Sequence, residues 1–77
     1  MQHTIKSTVV GVLNITTGEH YVQVEQTKPN GMKNELQFPP TEAADIALQV
    51  LYLMLTSTAG KNAVTKSPYY AEVKKAL

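Results

Sequence analysis

The segment TEAADIALQVLYLML, Thr41 to Leu55, decides the fold, because no other stretch of the 77 residues is both long and persistently apolar. Pro39 and Pro40 precede it, and Thr41 is the expected N-cap, its hydroxyl accepting an orphan backbone N–H while Glu42 and Asp45 sit near the positive end of the helix dipole. At about 100° per residue, Glu42, Asp45, Gln49, Tyr52 and Thr56 fall on one narrow polar strip. Ala43, Ala47, Val50, Leu51 and Met54 face the other way. The apolar arc also takes in Ile46 and Leu53 on one flank and Leu48 and Leu55 on the other. That is wider than the roughly 100° stripe needed to cover one sheet, so one flank calls for a second partner.

Upstream of this helix the period changes from 3.6 to two. From Thr4 to Ile15 the residues Ile5, Ser7, Val9, Gly11, Leu13 and Ile15 alternate with Lys6, Thr8, Val10, Val12 and Asn14, which predicts one long strand. Thr16-Thr17-Gly18-Glu19 reads as a tight turn, and His20 to Gln26 alternates again as a second strand, with Ile15 opposite His20, Leu13 opposite Val22 and Gly11 opposite Val24. The next connection can be read more closely. A two-residue loop would pair Val24 with Glu35, mixing core with surface. A three-residue Pro29-Asn30-Gly31 loop pairs Val24 with Leu36 and Val22 with Phe38, and puts Gly where the bulge needs φ > 0. The third strand then runs from about Met32 to Phe38.

The inner face of this meander carries Val9, Leu13, Ile15, Val22, Val24, Leu36 and Phe38. Lys6, Thr8, Tyr21, Gln23, Glu25, Lys33, Glu35 and Gln37 form a solvated outer face, on which Glu25 lies opposite Glu35. Val10 and Val12 are apolar exceptions on that outer face, at what a simple meander makes an edge strand. Either the C-terminal segment folds over them or a partner does.

Downstream of the long helix, Thr56 to Gly60 reads as a frayed last turn with a glycine C-cap, and Lys61 to Lys66 as a polar connection. Ser67-Pro68 then starts a short helix from Tyr69 to Leu77. The expected fold is α+β: a three-stranded antiparallel β-meander packed on one long α-helix, followed by a short C-terminal helix, in one domain spanning residues 1–77. Leu36, Phe38, Ala47, Leu51 and Met54 are its expected buried residues.

The composition narrows the function. A core this small supplies roughly 3–5 kcal/mol of net stability, and with no Cys neither disulfides nor zinc thiolates can add to it. No apolar run is long enough to span a bilayer, and the start MQHTIKS is not a signal peptide, so a cytoplasmic protein with no membrane partner is expected. Seven Lys against six acidic residues, with no Arg, leave a net charge of +1, which removes the residue best suited to bidentate recognition of phosphate or guanine. His3 and His20 have no metal-ligand spacing, and no nucleophile elbow, Walker loop or dinucleotide fingerprint is present. No cofactor, metal or enzymatic activity is therefore expected.

The βββα order, with an L-x-F lead-in to an Ala-rich helix, resembles double-stranded-RNA-binding and single-strand-binding coactivator domains at the level of architecture, but their basic motifs are missing and no family is identified. Two classes of function remain. The first is a non-enzymatic protein-protein interaction module, a homodimer or a partner complex, with Val10, Val12, Ile46, Leu53, Leu48 and Leu55 as interface candidates; small phage or mobile-element accessory proteins are often built this way. The alternative is a nucleic-acid-binding accessory protein using Lys6, Tyr21 and Lys33 on the outer sheet face and Lys74 and Lys75 near the C-terminus.

Overall fold

A computed structural model describes all residues, 1–77. The chain is α+β, with four antiparallel strands and three helices where the sequence suggests three and two: β1 (Gln2–Ser7), β2 (Gly11–Thr17), β3 (Val22–Thr27), β4 (Lys33–Phe38), α1 (Pro40–Met54), α2 (Thr58–Lys66) and α3 (Tyr69–Ala76). The strands form a meander in the order β1-β2-β3-β4. Packing divides the chain into two compact units, Met1–Ala44 and Asp45–Leu77.

The long first strand expected from Thr4 to Ile15 is in fact a hairpin. The Ser7 hydroxyl accepts from the backbone N–H groups of Val9 and Val10, both at 3.1 Å, and so closes a turn that the β-branched composition conceals. Gly11 leaves the turn at φ +93°. A side chain there would be strained by the dihedral, and its Cβ would fall on the Thr27 carbonyl oxygen. Pairing of Lys6 with Val12 and Ile5 with Leu13 follows.

Between β2 and β3 the register also differs. Ile15 pairs with Val24 and Leu13 with Gln26, because the connecting loop is Gly18 to Tyr21, closed by the Gly18 N–H donating to the Tyr21 carbonyl at 2.8 Å. This centres the turn two residues further along than the alternation suggests and shifts the pairing by four. An even shift keeps every side chain on its own face. Leu13, Ile15, Val22 and Val24 therefore stay together while their partners change, and His20 leaves the inner face for the loop.

The β3–β4 hairpin has the expected register, Val22 with Phe38, Val24 with Leu36 and Glu25 with Glu35. Its loop is Pro29-Asn30-Gly31, with the Lys28 N–H on the Met32 carbonyl at 2.8 Å and Gly31 at φ +89°. One face of the sheet thus carries Ile5, Leu13, Ile15, Val22, Val24, Leu36 and Phe38, together with His3, Gln26 and Asn34. The other carries Gln2, Thr4, Lys6, Val12, Asn14, Thr16, Gln23, Glu25, Lys33, Glu35 and Gln37.

Helix α1 begins at Pro40, one residue before the expected start. The Pro39 carbonyl accepts from the Ala43 N–H at 3.0 Å, so Thr41 lies inside the first turn and is not the cap. The segment read as a frayed end and polar connection is a second helix. Ser57 caps α2 with its hydroxyl 3.0 Å from the Gly60 N–H. Gly60, expected as a C-cap, instead lies in the first turn of α2 against the end of α1, where a Cβ would fall on the Met54 carbonyl oxygen. The short helix after Pro68 forms as α3, with the Ser67 hydroxyl 3.2 Å from the Tyr69 N–H.

Candidate interaction surfaces

No residue of the chain is buried. Neither unit encloses the expected core by itself: Leu36 is 60% exposed, Ala47 and Met54 are exposed, and Phe38 and Leu51 are only half-buried. The reason lies in the layers. The unit Met1–Ala44 is a single sheet plus the first turn of a helix, and one layer has no interior of its own. Its more apolar face runs from Ile5 at one edge to Leu36 and Phe38 at the other, and is interrupted by His3 and by the hydrogen-bonded pair Gln26 and Asn34.

Along α1, all four flank candidates are exposed, Ile46 and Leu53 on one side and Leu48 and Leu55 on the other, with Leu53 at 65%. Val50 and Tyr52 are exposed as well. Within the helical unit α2 and α3 pack on each other, and Tyr69, Val73 and Leu77 stay open to solvent.

The other two interface candidates sit elsewhere than expected. Val12 is on β2, an interior strand, on the polar face between Lys6 and Thr27. Val10 is in the β1–β2 turn, its carbonyl accepting from the Gln26 side-chain amide at 2.8 Å. Neither lies on an edge, because the extra hairpin makes β1 the edge strand. Val9, expected on the inner face, projects from the same turn at 81% exposure.

The polar face separates the residues of the nucleic-acid alternative. Lys6 and Lys33 occupy one end row with Val12 and Thr27 between them, and Glu25 and Glu35 lie side by side in the next row. Tyr21 is not beside these lysines. It lies in the loop at the opposite end, six residues or roughly 20 Å along the strand from that row, with its ring over Gly18. Lys74 sits over the Tyr70 ring at 5.0 Å, and Lys75 is 3.8 Å from the Glu72 carboxylate. The arrangement brings neither a stacking platform nor a continuous basic stripe together.

No group of three or more His, Asp or Glu side chains converges as metal ligands, and His20 stands exposed beside Glu19 at 3.9 Å. No helix is long and apolar enough to cross a membrane. No protein-family model matches the chain, and no curated protein or solved structure is significantly similar to it.

Proposed function

We propose that this protein is a non-enzymatic interaction module that completes its fold by pairing with a second copy of itself. The observation that carries the reading is the exposed apolar surface on both the sheet and α1. Seven apolar side chains line one sheet face and four more flank the helix, with none buried. Each Val, Leu, Ile or Phe side chain taken out of water is worth roughly 1.5–3 kcal/mol. Leaving them wet gives up more stability than a domain of this size has.

In this reading Ile46, Leu48, Leu53 and Leu55 and the apolar sheet face meet partner surface, and the polar face stays in water. Val12, between Lys6 and Thr27 on the polar face, is at most peripheral to such an interface.

Light-scattering mass, measured with and without an added oligonucleotide, tests the reading. A dimer whose mass is unchanged by the oligonucleotide supports it. A monomer counts against it, and a mass that rises only with the oligonucleotide, and less so as salt is added, favours nucleic-acid binding instead.

A further inference from the structure

The two hairpin tips at one end of the sheet, Ser7 to Gly11 and Lys28 to Met32, both present apolar side chains to solvent: Val9 is 81% and Met32 61% exposed, with Val10 and Pro29 beside them. Turns are usually built from Gly, Pro, Asn, Asp and Ser, which the second tip follows and the Thr8-Val9-Val10 apex of the first does not. A cleft of about 380 Å³ separates the tips, lined by Val9, Val10, Gln26, Lys28, Pro29 and Asn30. Lys6, Lys28 and Lys33 ring the base of the tips, none of them in an ion pair. The segments from Lys6 to Val12 and from Thr27 to Lys33 contain three Lys and no Asp or Glu; the nearest carboxylates in the sheet, Glu25 and Glu35, lie one row further from the tips on the polar face.

The backbone of the tips is largely satisfied from within. Ser7 takes the Val9 and Val10 N–H groups, Asn30 takes that of Met32 at 3.0 Å, and Gln26 donates to the Val10 carbonyl at 2.8 Å while accepting from Asn34 at 3.1 Å. The Lys28 and Gly31 N–H groups are bonded within their own loop. Protruding aliphatic apices, internally satisfied backbone and a collar of lysines together meet the requirements of one environment, the boundary between lipid headgroups and acyl chains. There unsatisfied backbone is costly, aliphatics are accepted, and Lys stems reach back to anionic headgroups. Such a surface-lying mode needs no spanning segment.

We propose that the paired tips are a docking site for an anionic phospholipid surface, with Val9 and Met32 entering the interface and Lys6, Lys28 and Lys33 contacting headgroup phosphate or carboxylate. The site is independent of the dimer proposed above, though two copies presenting it side by side would bind more tightly. Co-sedimentation of the full chain with phosphatidylcholine vesicles, with and without phosphatidylserine, tests it. The expected result is binding that requires phosphatidylserine and weakens with salt. Lys28→Gln should weaken it about fivefold, and Val9→Asp or Met32→Asp about tenfold, each with light-scattering mass and circular dichroism unchanged. Absence of binding to either vesicle overturns the proposal. So does undiminished binding by Val9→Asp and Met32→Asp together, loss of self-association in those variants, or a charged partner such as an oligonucleotide displacing the vesicles at the same lysines.

Discussion

Substituting alanine for Gly11 and for Gly31 separates two effects that both glycines share in name only. Both sit at positive φ, +93° and +89°, where a residue with a Cβ loses roughly 1–2 kcal/mol, offset by about 0.4–1 kcal/mol from the stiffer unfolded chain. At Gly31 nothing else lies within reach of the added methyl group. Gly31→Ala should therefore cost only about 1 kcal/mol. At Gly11 the Cβ would fall on the Thr27 carbonyl oxygen, which is backbone and cannot swing aside, so β2 and β3 must separate locally. Overpacking of this kind adds roughly 1–3 kcal/mol, bringing Gly11→Ala to about 2–4 kcal/mol in all. Urea unfolding of the three proteins at one fixed concentration measures the difference. Equal losses at the two positions would mean that Gly11 does not lie against Thr27, and the β2–β3 register would be wrong.

Other perturbations probe the remaining elements. Ser57→Ala removes the hydroxyl 3.0 Å from the Gly60 N–H and should lower urea-measured stability by about 1 kcal/mol; no change would argue against α2 as a capped helix. Glu25→Lys converts the like-charged Glu25–Glu35 pair into an attractive one and should raise stability by a few tenths of a kcal/mol, about 0.5, more at low salt than at high salt. Leu53→Asp places a charge on the exposed flank of α1 and should shift light-scattering mass from dimer to monomer, whereas a mass unchanged at high concentration would remove that flank from the interface.

What the sequence discloses and what it conceals differ by residue. The β3–β4 hairpin is legible because Pro29-Asn30-Gly31 is ordinary turn chemistry and only one register keeps Val24 and Leu36 on the same face. The β1–β2 hairpin is hidden because its turn is made of Thr8, Val9 and Val10, residues typical of strands, and the closing contact is the Ser7 hydroxyl on backbone that no periodicity reports. Gly60 misleads for a related reason. Glycine is read as a helix terminus on φ grounds, but here it is required by the closeness of the Met54 carbonyl, a tertiary distance absent from the local pattern. The long helix is legible because its apolar period runs through the whole segment, and α1 spans Pro40–Met54. The placement of Val10 and Val12 is not, because it depends on how many strands precede β3. Tyr21 and the lysines look adjacent in a three-strand reading and are separated by the length of a strand once the true register is known.

The central claim is that folding is completed by a second copy, and the dependence of the unfolding midpoint on protein concentration tests it most directly. If two chains unfold as one dimer, each tenfold rise in concentration adds about 1.4 kcal/mol to apparent stability, and the urea midpoint climbs accordingly. A midpoint that rises in this way is the predicted result. A sharp, cooperative midpoint that stays constant across a hundredfold range of concentration would show a self-sufficient monomer and contradict the account.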